Sequence, residues 1–177
     1  MRLKRRKGSA ILVSIGVAAV ILLFGLFFLE LQQFYDYQYA IEVRAQRAVN
    51  STVEYAMDDT WRADGHNYLD CNTALARYKG YLDADLNVDA SGRCYDSNGN
   101  LLYRVSYGPL EFIGATTKYN NATGRNQKLA TGIRIEITVT MTSGLGSAGF
   151  GSPRYSWTNT FESTNFRTDN DERKGTW

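Results

Sequence analysis

Histidine and cysteine are almost missing from this chain. His66 is the only histidine, and Cys71 and Cys94 are the only cysteines, among 177 residues. One imidazole and two thiols cannot complete a four-ligand zinc site. They also leave no partner histidine for a nucleophilic triad, and no serine stands in a G-x-S-x-G setting. His66 lies in "DGHNY", which reads as a loop with a solvated side chain. The carboxylate pairs Asp58/Asp59 and Asp83/Asp85 are the remaining acid–base candidates, and they read as a helix end and a solvated turn. "DSNGN" (Asp96 to Asn100) starts like a calcium loop. However, Gly99 falls at its fourth position rather than its sixth, and no glutamate follows at the twelfth. The expectation is a protein without enzyme chemistry, metal or cofactor.

Charge is missing too, over one long stretch. From Ser9 to Leu29 all 21 residues are apolar or small, and Ser9 and Ser14 carry the only hydroxyls. At about 1.5 Å per residue this run spans roughly 30 Å, the thickness of a bilayer's hydrocarbon core. A cleaved secretory signal has an apolar region of about 7–15 residues followed by a small-x-small exit site. Here the run leads into "ELQQFYDYQY", with no such site. The segment therefore reads as a retained membrane helix that touches lipid. Arg2, Lys4, Arg5, Arg6 and Lys7 precede it. By the positive-inside rule they keep the N-terminus cytoplasmic and put the residues after Glu30 outside the cell membrane. Phe34, Tyr35, Tyr37 and Tyr39 stand where an interfacial aromatic belt belongs. Without the five leading charges, 15 basic residues face 18 acidic ones. A mildly acidic body gives no reason to expect nucleic acid as a partner.

Glycine and proline are both absent from Glu30 to Asp58. Over that span Phe34, Ile41, Ala45, Ala48, Thr52 and Ala56 recur at helical spacing, a single apolar stripe. Joined to the membrane segment, the helix should run from about Ser9 to Asp58, near 75 Å. "DDTWRADG" ends it, with Gly65 as the breaker. A second helix is expected over "YLDCNTALARYKGYL", closing near Gly80.

Beyond that point the period changes from 3.6 to 2. "LLYRVSY" places Leu101, Tyr103, Val105 and Tyr107 on one face. In "GIRIEITVTMT" Ile133, Ile135, Ile137, Val139 and Met141 alternate with polar residues, and "YSWTNTF" aligns Tyr155, Trp157 and Phe161. Such alternation marks strands of an antiparallel sheet with one wet face. "DSNGN" reads as the hairpin turn ahead of the "LLYRVSY" strand. "SGLGSAGFGSP" reads as a flexible loop between the last two strands. The fold class is α+β: a long N-terminal helix, half transmembrane and half amphipathic, packed on a small antiparallel sheet. The expected boundaries are a basic leader 1–8, the membrane half 9–29, the amphipathic half 30–60, an extracytoplasmic domain 61–166 and a charged tail 167–177.

Two cysteines on the outer side favour a Cys71–Cys94 disulfide, closing a loop of about 24 residues worth roughly 3 kcal/mol. Two buried free thiols are the alternative. The sequons at Asn50 and Asn121 matter only in an organism that N-glycosylates, and Asn50 falls on the helix.

The N-terminal third, about 45 residues, resembles type IV pilins and pseudopilins, and within them the TadE-like proteins of tight-adherence pili. "RRKGSA", "LLFG" (Leu22 to Gly25), Glu30, "FY" (Phe34, Tyr35) and the pattern Ala40, Arg44, Ala45, Arg47, Ala48 carry the resemblance. It implies cleavage by a prepilin peptidase between Gly8 and Ser9. The hydrophobic helix would then be drawn from the membrane into a filament of pilin-like subunits by a membrane assembly platform. Val13, Gly16, Ala19 and Glu30 would lie on the assembling helix, and Gly16 with Ala18 and Ala19 would permit close helix approach. Most members have glutamate where this chain has Val13, which implies a minor, initiating or uncleaved subunit. The other reading is a single-pass membrane-anchored binding or sensory domain with no filament role. Anchored receptors usually place a polar linker at the membrane surface, and this chain has none there.

Overall fold

The computed structural model describes residues 4–63, 65–142 and 154–164. The expected glycine-rich loop and charged tail lie outside them. The chain divides into two compact units, Met1–Ala40 and Ile41–Trp177.

Helix α1 spans Lys4–Tyr55 without interruption. Fourteen large apolar side chains from Ile11 to Leu29 are 44–72% exposed. Among the described residues α1 is the one helix long and apolar enough to cross a membrane.

In the second unit α1 does the work of a core element. Ile41, Ala45, Ala48, Thr52 and Ala56 are buried, as their spacing predicts, while Phe34, in the first unit, is only half-buried. Val49 and Val53 are buried as well and widen the stripe. Thr52 is tolerated there because its hydroxyl donates to the Ala48 carbonyl one turn back, at 2.8 Å. The helix stops at Tyr55, three residues short of expectation. Met57 forms a bridge with Leu69, the Asp58 N–H donates to the Tyr68 carbonyl, and the Asp70 N–H donates to the Ala56 carbonyl. Long-range backbone bonds thus replace the next helical turn. Asp58 caps a separate short helix, α2 (Asp59–Ala63), by accepting from the Thr60 N–H at 2.9 Å.

Strand β1 (Leu69–Asp70) leads into α3 (Cys71–Asp85). Asp70 is its N-cap, accepting from the Thr73 N–H and hydroxyl at 2.8 and 2.6 Å. The helix passes through Gly80, where a stop was expected. An internal glycine costs about 1 kcal/mol against alanine. Leu82 and Leu86, both fully buried beyond it, each contribute roughly 1.5–3 kcal/mol and decide the matter.

Two antiparallel sheets follow, where the periodicity predicted one. The larger joins β2 (Arg93–Tyr95), β3 (Leu101–Tyr107), β4 (Glu111–Ile113), β7 (Gly132–Thr142) and β8 (Arg154–Thr164). Its centre is β7, which pairs with β3 and β4 at one edge and with β8 at the other. Tyr103, Val105, all five alternating residues Ile133 to Met141, and Phe161 form its buried face. Tyr107, Tyr155 and Trp157 are half-buried, and Leu101 is exposed beside the β2–β3 register shift. The "DSNGN" turn is present between β2 and β3, with the Asp96 carboxylate accepting the Asn98 and Asn100 N–H groups, both at 2.8 Å. The smaller sheet, in the order β1–β6–β5, adds β5 (Thr116–Asn120) and β6 (Arg125–Ala130).

Helix α3 is tied to the larger sheet by two tyrosines. Tyr103 donates to the Leu86 carbonyl at 2.6 Å, and Tyr107 donates to Asp83 Oδ1 at 2.8 Å. Arg47 of α1 pairs with Asp85 of α3 at 2.9 Å.

Candidate functional site

The sequence points to four places for function: the Gly8–Ser9 bond, the apolar helix, Glu30 and the cysteine pair. Gly8 and Ser9 lie in the first turns of α1. At about 100° per residue, Gly16, Ala19 and Glu30 share an arc of roughly 60°, and Val13 stands about 60° further round. Ala18 points to the far side from Gly16, so it cannot join the same helix contact. Nothing lies within 4 Å of a side chain built at Gly16, which makes it a notch on an open face. Val13 is 65% exposed. Ser14 hides its hydroxyl by donating to the Ile11 carbonyl at 2.9 Å, which suits it to an apolar surrounding. Glu30 is half-buried at the end of the run.

The magnitudes settle what this segment needs. A soluble monomer's largest apolar patch is a few hundred Å². Fourteen large side chains, each worth about 1.5–3 kcal/mol on full burial and a little over half exposed, leave on the order of 10–25 kcal/mol of burial unrealised. A segment of this length and composition is suited to a membrane's hydrocarbon core.

The expected Cys71–Cys94 disulfide is absent: both residues are buried free thiols. The reason is separation along α3. Cys71 is its first residue. Cys94 pairs in register with Tyr103, whose hydroxyl reaches Leu86, just past the helix's other end. Fifteen residues of helix make about 22 Å, whereas a disulfide requires Cα atoms within about 4.4–6.8 Å. Burial, then the neighbouring Asp70 charge, pushes the Cys71 thiol up and leaves it a poor nucleophile.

The four candidate acid–base carboxylates, Asp58, Asp59, Asp83 and Asp85, each have partners within the fold. Burial raises the Asp58 carboxyl, but hydrogen bonds from Gln127, Thr60 and Trp61 outweigh it and hold the group below its ordinary value. Gln127 also accepts from Trp61 Nε1 at 3.2 Å and from Asn120 Nδ2 at 3.0 Å. This node ties α2 to the smaller sheet, and no sequence pattern announced it. Asp59 pairs with Arg62 at 3.3 Å. Asp83 and Asp85 are engaged by Tyr107 and Arg47, on separate elements. His66 is exposed, its ring 5.7 Å from Tyr68 and 6.4 Å from Trp61. Lys118 lies over the Tyr68 ring at 4.3 Å and completes that aromatic surface. Among the described residues no three His, Cys, Asp or Glu side chains gather as metal ligands.

No family model, no curated protein and no solved structure matches the chain.

Proposed function

We propose that this protein is a membrane-inserted structural subunit of a pilus-like filament or pseudopilus, assembled through its N-terminal helix. One observation carries the reading: α1 runs unbroken from an exposed apolar segment into residues that form the core of the folded unit. A tether needs only to hold a domain near a membrane, and a polar linker serves it better. An apolar helix built into the core of its own domain is what a subunit needs if helix and domain must move together. The notch at Gly16, with Ala19 and Glu30 on the same arc, supplies a face for a neighbouring helix.

The reading gives the basic leader a role. Cutting between Gly8 and Ser9 would remove Arg2, Lys4, Arg5, Arg6 and Lys7. With them in place, moving the helix outward would drag charges through lipid at several kcal/mol each. Intact mass of the protein from its native membrane tests this step. A chain beginning at Ser9 supports a processed subunit, and one beginning at Met1 favours the plain anchored domain. Replacing Gly16 with leucine should lower incorporation into the assembly while the outer domain stays folded. Unchanged incorporation would remove the helix face from the proposal.

A further inference from the structure

Of the two N-x-S/T sequons, the fold closes one and presents the other. Asn50 stands on α1, its Oδ1 accepting from Gln46 Nε2 at 3.0 Å. Thr52, the hydroxyl residue of that sequon, is fully buried and donates to the Ala48 carbonyl at 2.8 Å. An enzyme could not engage that hydroxyl without unwinding the core helix.

Asn121 stands instead at the tip of the β5–β6 hairpin. Asn121, Ala122, Thr123 and Gly124 are all exposed. The turn is anchored from below by Asn120, only 3% exposed, whose Oδ1 accepts the Ala122 and Thr123 N–H groups at 2.9 and 3.3 Å. Gly124 closes it, with φ +65° and its N–H donating to the Asn120 carbonyl at 2.8 Å. These bonds use backbone groups and the Asn120 side chain alone. Among the described residues the Asn121 amide and the Thr123 hydroxyl hold no hydrogen bond. Both groups that define the sequon therefore stand accessible on a turn, the setting that glycan transfer requires.

A third residue points to the kind of ligand. Tyr119, two positions before Asn121, is 58% exposed. Its hydroxyl lies 3.8 Å from the Cβ of a side chain built at Gly124, so the ring leans toward the tip. A pyranose presents C–H groups on one face and hydroxyls at its rim, and an aromatic ring with a polar tip suits that mixed surface.

We propose that Asn121 accepts an N-linked oligosaccharide, with Tyr119 as the stacking surface for its first sugar. The donor class is an oligosaccharide carried on a polyprenyl pyrophosphate. Asn121 Nδ2 forms a bond to the sugar's C1 as the bond from C1 to the pyrophosphate oxygen breaks. That oxygen keeps the electron pair, and the Nδ2 proton passes to a carboxylate of the transferase. The proposal is independent of the filament reading. It requires only that this unit lie outside the membrane, where the positive-inside rule puts it.

The test uses full-length protein purified from its native membrane, digested with trypsin and read by mass spectrometry. The peptide Tyr119–Arg125, "YNNATGR", should carry an oligosaccharide that fragmentation locates on Asn121. The peptide bearing Asn50 should carry none. Thr123→Val, which removes the hydroxyl and keeps the shape, should lose the sugar, and Thr123→Ser should retain it. Unmodified "YNNATGR", sugar on Asn50 in its place, or sugar retained by Thr123→Val would overturn the assignment. The urea midpoint tests the stacking surface. Asn121→Gln should lower it in the wild type and leave it unchanged in Tyr119→Ala; an equal fall in both would remove Tyr119 from the proposal. A sugar on Asn121 in a chain that begins at Met1 would uphold this proposal and not the processed subunit.

Discussion

Alanine substitutions at two glycines of the same hairpin region, Gly92 and Gly99, should differ sharply in effect. Both residues have positive φ, +71° and +82°. An alanine pays about 1–2 kcal/mol for that conformation at either site. At Gly99 nothing lies within 4 Å of the added methyl, so the cost should stop there. At Gly92 the methyl would sit 2.3 Å from the Val105 carbonyl oxygen, a backbone atom that cannot swing aside. The two strands must part, which also disturbs the 2.7 Å bond from the Val105 N–H to the Gly92 carbonyl. Overpacking costs about 1–3 kcal/mol and a weakened hydrogen bond about 1 kcal/mol. Gly92→Ala should therefore lose roughly 2–4 kcal/mol more than Gly99→Ala. Urea unfolding of the full-length protein in detergent, followed by tryptophan fluorescence, reads this directly. With a slope of about 2 kcal/mol/M, the Gly92 midpoint should fall about 1–2 M below that of the Gly99 variant. Equal midpoints would refute the close approach of β2 to β3 on which the reasoning depends.

Thiol counting addresses the cysteines. Unreduced, denatured protein should label at both Cys71 and Cys94, while the native protein labels slowly at either; a single oxidised pair would contradict their placement at opposite ends of α3. Alkaline titration addresses the tyrosine ties. Burial, then the hydrogen bond to Asp83, raises Tyr107 above its ordinary value of 10, and burial, then Cys94, raises Tyr103. A raised group stabilises the fold fully below the unfolded value, so stability should decline as pH climbs above about 10. Tyr107→Phe should cost about 1–2 kcal/mol at neutral pH and flatten that decline. A variant with the wild-type alkaline slope would show that Tyr107 does not carry the effect.

Much of the architecture was legible because it is periodic. The uncharged run from Ser9 to Leu29 and the stripe Ile41, Ala45, Ala48, Thr52, Ala56 required only helical spacing and the absence of breakers. The buried face of β7 was as plain, because five apolar residues alternate with polar ones and every one of the five is buried. The "DSNGN" turn was readable because an aspartate and a glycine at those positions close a turn by local bonds alone. Each of these features is decided within a few residues.

What the sequence did not reveal is decided at long range. "TTKYN" and "RNQKLA" carry little apolar pattern, and they become strands of a second sheet because Leu129 and Ala130 are buried where β6 pairs with β1. Helix α1 ends at Tyr55 because Asp58 and Asp70 find backbone partners across a turn, and α3 runs past Gly80 because Leu82 and Leu86 have a core to enter. The cysteines show the contrast best. Their even count and their predicted compartment argued for a bridge, yet count and compartment carry no distance. Only the packing of α3 against β3, through Tyr103 and Leu86, fixes the two thiols a helix length apart, because a helix cannot be shortened to let its ends meet.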